Sequence, residues 1–345
     1  MRGLKSCNKR YDISQSLLFK IGSKKKLAEC LGLPDKKEIL RLLTLEIPYA
    51  KFYIQKKGKR RFCEEPCPQL KKVHLRILSL LQNISIPDYL HSAVKKRSYI
   101  SNAKVHLGAG QVATLDIKKF YPSISREMVV RFFHKSMECS RDVAATLADL
   151  TTCDGHVPTG SPLSPLLAFF ACKEMFDKIN SHAKNEGVKF TCYVDDLTFS
   201  GHKINKTWLY EQVKKIIRQY GMTYHKEKFY KEGIPREVTG VILVGDTMKV
   251  CNRHLENVFE LTTRLANATN PVKIKKLHLK VMGCISAAGQ IDEKMHLQGR
   301  KINDFVRAKV ALNRARRMKS EDATILLRSV SVSAPLPSGL THPKT

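Results

Sequence analysis

Two adjacent carboxylates, Asp195 and Asp196, are the residues of this chain whose types and spacing most directly indicate chemistry. They occur in TCYVDDLTFSG (191–201), flanked on both sides by β-branched and aromatic residues. A third acid, Asp116, ends the apolar run of QVATLDIKKFYPSI (111–124). If these segments are adjacent strands, the three carboxylates converge and would not all ionise at neutral pH without cations. Mg²⁺ prefers such oxygen ligands, and two ions about 3.5–4 Å apart catalyse in-line phosphoryl transfer.

The alternative for these acids is structural, because Asp is also a good turn former. The charge of the chain favours chemistry on a polyanion. Its 345 residues include 61 Lys and Arg against 31 Asp and Glu, a formal net charge of +30. Nucleic acid is the usual partner of such a surface, because phosphate contacts release counterions. An acidic membrane would favour one compact basic helix, whereas these basic residues occur along nearly the whole chain, so no membrane partner is expected.

Cysteine usage and the first residues of the chain predict a cytoplasmic protein. The ten cysteines include no CxxC pair, and no second ligand pair follows the grouping of Cys63, Cys67 and His74. We interpret them as free thiols of a reducing compartment rather than as a zinc site. No apolar run reaches the roughly 20 residues that cross a bilayer, and MRGLKSCNKRYDIS lacks the apolar centre of a secretory signal.

The elements that must position the acids follow a mixed α+β order, which excludes a regular doubly wound sheet. From 252 to 329 the pattern is helical only, and a Pro- and Ser-containing tail at 331–345 is expected to be disordered. Upstream, helices are predicted at 35–44, 68–82, 125–137, 141–151, 164–186 and 205–221, and strands or hairpins at 49–66, 111–124, 191–201 and 236–250.

At these residues the chain resembles the palm of a reverse transcriptase, with YVDD at 193–196 and the strand-borne Asp116 upstream. More narrowly, it resembles the bacterial retron reverse transcriptases. HSAVKKRSYISNAKVH carries the Asn-Ala-x-x-His signature of that group at Asn102 and His106, and REVTG carries its Val-Thr-Gly signature at 238–240. The resemblance covers roughly residues 35–250 with motifs in the right order.

The resemblance implies an α+β right-hand polymerase fold with fingers, a palm of antiparallel sheet plus helices, and an α-helical thumb. It implies a basic N-terminal segment at 1–34, fingers and palm at 35–250, and a thumb at 251–330 that binds RNA or the hybrid. The activity implied is RNA-directed DNA synthesis from dNTPs on a structured non-coding partner RNA. Priming from an RNA 2′-OH would leave branched RNA–DNA, called msDNA, and a separate effector protein would join the enzyme in anti-phage defence.

The same resemblance assigns roles to residues around the acids. Asp116, Asp195 and Asp196 would be catalytic, and with Ile117 they would bind two Mg²⁺ ions, with Mn²⁺ as the alternative metal. Tyr121 would lie under the sugar of the incoming nucleotide and exclude a ribose 2′-OH; the alternative is a core aromatic. The other implied nucleotide-binding residues are Arg61, Lys59, Gly160 and Lys228, and the implied RNA-binding or priming residues are Asn102, His106, Arg300, Arg307 and Arg314.

Alternatives stay open for several of these residues. Arg61 suits a triphosphate because its fork grips phosphate bidentately, with Lys57 or Lys59 assisting, but a solvated basic turn is equally compatible. Lys226 is the second choice for the leaving-group lysine after Lys228, and either could be an ordinary surface lysine. In VPTGSP, Thr159 stands where the motif has glutamine, which puts nucleotide selectivity in question.

Two further alternatives concern the signature residues and the whole chain. Asn102 and His106 could present the priming RNA, or they could be buried polar residues that brace the palm. The chain could instead be a group II intron-like or diversity-generating reverse transcriptase, or a non-catalytic RNA-binding scaffold. A scaffold would be expected to lose the clustered acids, which destabilise a fold that does not use them.

Overall fold

The computed structural model describes residues 10–56 and 58–315. They fall into two compact units that divide between Glu232 and Gly233. The predicted tail at 331–345 and the end of the predicted helical region lie outside the described residues. Among the helices that are described, none is long and apolar enough to pass through a membrane.

The first unit combines helices with a two-stranded and a four-stranded sheet. Short pieces of 3₁₀ and π helix occur at Ile13–Gln15 and Phe132–Ser136. Its strands are β1 (Tyr49–Lys56), β2 (Lys59–Pro66), β3 (Gln111–Lys118), β4 (Lys189–Tyr193), β5 (Asp196–Gly201) and β6 (Thr223–Tyr230). Its helices are α1 (Lys24–Leu31), α2 (Lys36–Leu43), α3 (Pro68–Leu81), α4 (Tyr99–Lys104), α5 (Phe120–Ser123), α6 (Arg126–Arg131), α7 (Arg141–Thr151), α8 (Ser164–Ala171), α9 (Lys173–Asn185) and α10 (Lys206–Gln219).

The four-stranded sheet positions the predicted acids. Its order is β4-β5-β3-β6, and every neighbouring pair is antiparallel. Apolar side chains of β3, β4 and β5 join those of α8, α9 and α10 in one core that includes Leu115, Phe199 and Phe176. The predicted adjacency of the two acid-bearing segments is confirmed, because β3 and β5 are neighbours.

Element boundaries differ from the predictions where the backbone leaves regular geometry. The predicted strand at 111–124 ends at Lys118, because Lys119 adopts a left-handed φ of 49° and α5 begins after it. The predicted helix at 164–186 is two helices separated at Cys172 (φ −109°, ψ 8°). The cap predicted at Asp35 is confirmed, because its carboxylate accepts hydrogen bonds from the N–H groups of Lys37 and Glu38.

The two-stranded sheet is the predicted basic hairpin. β1 and β2 are antiparallel partners from Tyr49–Pro66 to Lys56–Lys59, and Gly58 in the connection has a φ of 73°. This left-handed conformation is open to glycine without a steric cost. The exposed large apolar side chains of the hairpin are those of Phe52, Tyr53, Ile54 and Phe62.

Within its described residues, the second unit has a three-stranded antiparallel sheet and three helices. The strands are β7 (Arg236–Val238), β8 (Val241–Val244) and β9 (Thr247–Val250), and the helices are α11 (Asn252–Ala266), α12 (Pro271–Gly289) and α13 (Lys294–Ala315). The Val-Thr-Gly signature is the tight turn between β7 and β8. Val238 pairs with Val241, and Thr239 and Gly240 between them have φ values of 47° and 85°. Both central residues are left-handed, as in a type I′ hairpin turn.

Candidate active site

Asp116 and Asp196 lie opposite each other and form the last residue pair between the antiparallel strands β3 and β5. Asp195 lies in the two-residue turn between β4 and β5, because Tyr193 pairs with Asp196. The carbonyl of Asp195 accepts a hydrogen bond from the N–H of Ile117 at 3.0 Å, which ties the turn to β3. Val194 in this turn has a φ of 60°, which is a strained conformation for a β-branched residue. The turn thereby brings Asp195 beside the Asp116–Asp196 pair, where β5 begins and β3 approaches its end.

The electrostatics of these acids fit a divalent cation. Burial raises the pKa of Asp195, and the neighbouring Asp116 carboxylate raises it further. A backbone hydrogen bond, Lys226 and His225 act in the opposite direction. Three carboxylates at one strand end form a hard oxygen donor set that Mg²⁺ or Mn²⁺ would neutralise. Ile117 follows Asp116 on β3 with its side chain fully buried, so only its main chain is available to a metal.

A lysine neutralises part of this charge, and it is Lys226, the second choice of the sequence prediction. Its Nζ lies 2.6 Å from Oδ2 of Asp116, and His225 Nε2 lies 3.5 Å from Oδ1. Thr114 pairs with Lys228 whereas Asp116 pairs with His225, so β6 has one extra residue here. Lys226 has a φ of 56° at this bulge, which directs its side chain toward Asp116. Sequence reasoning missed His225, and the alternation of β6 contains no signal for the bulge.

Replacing Lys226 by Gln is expected to lower DNA synthesis by about ten- to hundredfold, because a positive group beside the acids would no longer stabilise the charge that develops on phosphate. The matched variant Lys228→Gln, two residues along the same strand, should retain activity within about threefold of the native chain. Single-nucleotide incorporation rates measure both effects. Equal losses in the two variants, or a larger loss for Lys228→Gln, would contradict this assignment.

Tyr121 lies on α5, which begins directly after β3 and the left-handed Lys119. Its ring is partly buried, with its centroid 5.7 Å from that of Phe120. Burial and the nearby Asp195 and Tyr193 raise the pKa of its hydroxyl. Tyr121 therefore packs on the core and also lies near the acids, which is compatible with both functions considered for it.

The Thr159–Gly160 segment is attached to the hairpin. The N–H of Gly160 donates to the Glu64 carbonyl at 3.1 Å, and the Thr159 hydroxyl donates to the Phe62 carbonyl at 3.0 Å. A Cβ at Gly160 would lie only 2.7 Å from the Glu64 carbonyl oxygen, so the close approach to β2 requires glycine. Thr159, in the position where the motif has glutamine, thus binds the hairpin backbone. Arg61 is exposed on this strand, and the side chain of Lys59, like all of Lys57, lies outside the described residues.

Asn102 and His106 are fully buried. His106 Nδ1 is 2.7 Å from the Ser200 hydroxyl, and its Nε2 is 2.7 Å from the Thr191 hydroxyl. It therefore connects the segment after α4 to β5 and β4 together. Of the two alternatives for this signature, the geometry supports bracing of the palm, because neither side chain reaches solvent where an RNA could contact it.

This bracing predicts sensitivity to acid. Burial lowers the pKa of His106 to about 3 and that of His74 and His91 to about 4. The unfolded chain therefore binds more protons than the folded chain below the usual histidine pKa of 6.5. The contribution of His106 to the free energy of unfolding is complete above that pH and declines as pH falls toward 3. At about pH 5 the contribution has fallen by on the order of 2 kcal/mol. As the pH is lowered, the melting temperature of His106→Gln should therefore fall less steeply than that of the native chain.

His202→Gln is the control for this experiment, because His202 is exposed. Its melting temperature should follow the pH dependence of the native chain. An unchanged pH dependence in His106→Gln would show that the buried histidine does not produce the acid sensitivity.

The predicted thumb arginines lie on α13 of the second unit. Arg300 and Arg307 are exposed, and Arg307 has an ion pair at 3.7 Å with Asp304, one turn away on the same helix. The side chain of Arg314 lies outside the described residues. The exposed pair contributes little to stability, so these arginines are available to a phosphate backbone.

Comparison with known proteins gives a consistent family. Residues 54–285 match the profile of the family described as reverse transcriptase (RNA-dependent DNA polymerase). The retron Se72 reverse transcriptase of Salmonella heidelberg is 31% identical over 215 residues, which are 60% of this chain and 57% of that protein. The retron Ec86 enzyme of Escherichia coli is 29% identical over 60% of this chain and 67% of its own length. The retron Mx162 enzyme of Myxococcus xanthus is 26% identical over 66% of this chain and 54% of its own length.

These matches span little more than half of some of the relatives. Among solved structures, a foamy viral protease–reverse transcriptase in complex with double-stranded DNA covers 95% of this chain and 50% of its own chain, with 12% identity and a TM-score of 0.44. The retron-type resemblance seen in the motifs is confirmed by the named relatives. The mixed antiparallel sheets and helices, together with the family profile, confirm the right-hand polymerase fold class.

Proposed function

Because the chain belongs to the reverse transcriptase (RNA-dependent DNA polymerase) family, we propose that it is a retron RNA-directed DNA polymerase. The observation that carries this proposal is the convergence of Asp116, Asp195 and Asp196 at one end of the β3–β5 pair, with Lys226 bound to Asp116. A scaffold without chemistry would gain nothing from a turn that holds the partly buried Asp195 against a second carboxylate.

Residues around the acids have complementary roles in this proposal. Asp116, Asp195 and Asp196, with the main chain of Ile117, would hold two Mg²⁺ ions, with Mn²⁺ as the alternative. When bound, such ions supply Lewis-acid stabilisation of phosphoryl oxygens and activate the attacking hydroxyl. Lys226 supplies positive charge beside the reacting phosphates, and Lys228 is a weaker candidate for the same role. The Tyr121 ring restricts the space for a 2′-OH.

Other predicted residues would bind the substrates. Arg61 on the exposed hairpin would grip the triphosphate, with Lys59 beside it, and Gly160 would hold its segment against β2 near the incoming dNTP. The exposed Arg300 and Arg307, with Arg314, would follow the backbone of an RNA–DNA hybrid. We assign the fingers and palm to 35–250 and the thumb to 251–330, after a basic segment at 1–34.

The finer part of the proposal concerns the template and product. The relatives are named retron reverse transcriptases, and we propose that this chain likewise copies a structured non-coding partner RNA. Synthesis would begin at an RNA 2′-OH and leave branched multicopy single-stranded DNA. A separate effector would act with it in anti-phage defence. The free thiols among the described residues suit a reducing cytoplasm.

Purification of the full chain from cells that express it with its flanking DNA tests both levels of the proposal. Extension of a primer on a generic RNA template with dNTPs tests the polymerase. Sequencing of the co-purified nucleic acid, with and without a 2′–5′ debranching enzyme, tests the branched product. Extension without a branched RNA–DNA would favour another type of reverse transcriptase, and RNA binding without extension would favour a scaffold.

A further inference from the structure

A second cluster of ligand-type side chains lies between β2 and the turn after α7. The turn is Cys153-Asp154-Gly155-His156, in which Cys153 and His156 exchange backbone hydrogen bonds of 2.8 and 3.0 Å. Asp154 and Gly155 have φ values of 48° and 77°, so two left-handed residues close it. Residues paired across an antiparallel ladder direct their side chains to the same face, which brings Cys153 and His156 to one side of the turn.

The donor atoms of this cluster are close enough to share an ion. One ligand atom from each of Glu64, Cys153 and Asp154 lies within 4.8 Å of the others. His156 Nε2 lies 3.1 Å from Oε1 of Glu64. Ligand atoms around a tetrahedral zinc ion are about 3.3–3.8 Å apart, because its bonds to oxygen, nitrogen and sulfur are about 2.0–2.3 Å. The side chains of Glu64, Cys153 and Asp154 would therefore have to move together around an ion, and His156 would join them through its contact with Glu64.

Glu64 is the observation that indicates a missing ligand. Its side chain is buried, and Oε2 accepts a hydrogen bond from the Thr159 N–H at 3.2 Å. Oε1 is buried and makes no well-aligned hydrogen bond among the described residues, and its nearest polar neighbour is His156 Nε2 at 3.1 Å, which also lies 3.2 Å from Oε2. A buried carboxylate oxygen costs free energy unless a donor or a cation compensates it.

We propose that Glu64, Cys153, Asp154 and His156 bind a structural zinc ion, separate from the acids on β3 and β5. Sulfur and imidazole ligands favour zinc over magnesium, which takes oxygen ligands. His156 would bind through Nε2 while Nδ1 faces the Asp154 carbonyl oxygen at 3.4 Å. Asp154 now contacts Lys51 at 2.6 Å, but both side chains are substantially exposed, so this pair is weak and can be exchanged for the ion.

The consequence is a cross-link between the hairpin and the segment that carries Gly160. Glu64 comes from β2, whereas the other three ligands come from the turn just before Thr159 and Gly160. The ion would add to the hydrogen bonds by which Thr159 and Gly160 contact β2. It would thus stabilise the attachment of the hairpin without taking part in phosphoryl transfer.

Metal analysis of the full-length protein tests this inference without reference to polymerase activity. After purification with zinc and gel filtration, the native chain is expected to retain about one zinc ion. Substituted Co²⁺ should show thiolate-to-metal charge-transfer absorption. Cys153→Ser and Glu64→Gln should lose that absorption and bind zinc at least about tenfold more weakly, as expected when a ligand of a closed site is removed. Cys67→Ser, which changes a half-buried cysteine at the end of the same hairpin, should behave like the native chain.

Two further variants keep the result decisive. Asp154→Asn changes an exposed side chain, so it should weaken zinc binding without unfolding the chain even if the buried variants misfold. Asp195→Asn should retain the cobalt–thiolate absorption, because it alters only the other site. Absence of retained zinc and of cobalt–thiolate absorption in the native chain would overturn the proposal. Equal zinc binding by the native chain, Cys153→Ser and Asp154→Asn would do the same.

Discussion

Asn in place of Asp195 or Asp116 is expected to reduce DNA synthesis by at least about a thousandfold, which corresponds to loss of about 4 kcal/mol of transition-state stabilisation. The amide keeps the shape of the side chain but removes the charge that would hold a divalent ion. Asp195 and Asp116 lie beside each other, and Asp116 raises the pKa of Asp195, so both would contact the metal. Asp196→Asn should also abolish DNA synthesis. If trace synthesis is found among the three variants, it should be highest in Asp196→Asn. Primer extension under saturating Mg²⁺ measures the loss.

Binding and stability measurements separate this loss from unfolding. RNA affinity should remain within about threefold of the native value, because it arises from the distributed net charge of +30. In the presence of a chelator, Asp195→Asn should melt at or above the temperature of the native chain, because the change removes a like-charge repulsion from a partly buried site. Asp246→Asn, at an exposed turn residue, is the control and should synthesise DNA normally. Robust extension by Asp195→Asn would refute the two-metal assignment.

Replacement of Tyr121 by Ala is expected to let the enzyme incorporate ribonucleotides about ten- to hundredfold more readily relative to deoxynucleotides. The ring lies near Asp195, and its removal opens space for a 2′-OH that the native site rejects at a cost of about 1–3 kcal/mol. Competing single-nucleotide incorporation of dNTP and rNTP on the same primed template measures the ratio.

Tyr121→Phe is the matched variant, because it keeps the ring and removes only the hydroxyl. Its discrimination should equal that of the native chain. If Tyr121→Ala used deoxynucleotides normally and still rejected ribonucleotides, Tyr121 would be a core aromatic rather than the gate. A parallel loss of all incorporation with a lower melting temperature would also assign it to the core.

Much of the candidate site was predictable because short-range patterns determine it. The β-branched and aromatic residues before Asp116 and in TCYVDDLTFSG predict strands, and the acids converge because those strands are neighbours in one sheet. The two-residue spacing at Val194–Asp195 predicts a tight turn between β4 and β5, as the structure has it. The hairpin at 49–66 and the cap at Asp35 follow equally from local residue types.

Other features depend on contacts between residues far apart in the chain. The preference for Lys226 over Lys228 arises from a bulge opposite Thr114 and Asp116, which is a property of the β3–β6 pairing. His106 becomes a brace only because β4 and β5 bring Thr191 and Ser200 to its two ring nitrogens. Burial of both nitrogens depends on the tertiary structure, because the sequence around His106 is equally compatible with an exposed residue.

The sequence by itself determined the kind of chemistry, because residue type sets charge, ligand preference and strand or helix propensity. Three acids and the excess of Lys and Arg predict a metal-dependent site on nucleic acid without knowledge of the fold. Only the tertiary structure decided which groups surround that site and which lie elsewhere. The cluster of Glu64 with Cys153, Asp154 and His156 shows the reason. Glu64 lies far along the chain from the other three residues, so their approach depends on packing of β2 against the turn after α7, which no local pattern specifies.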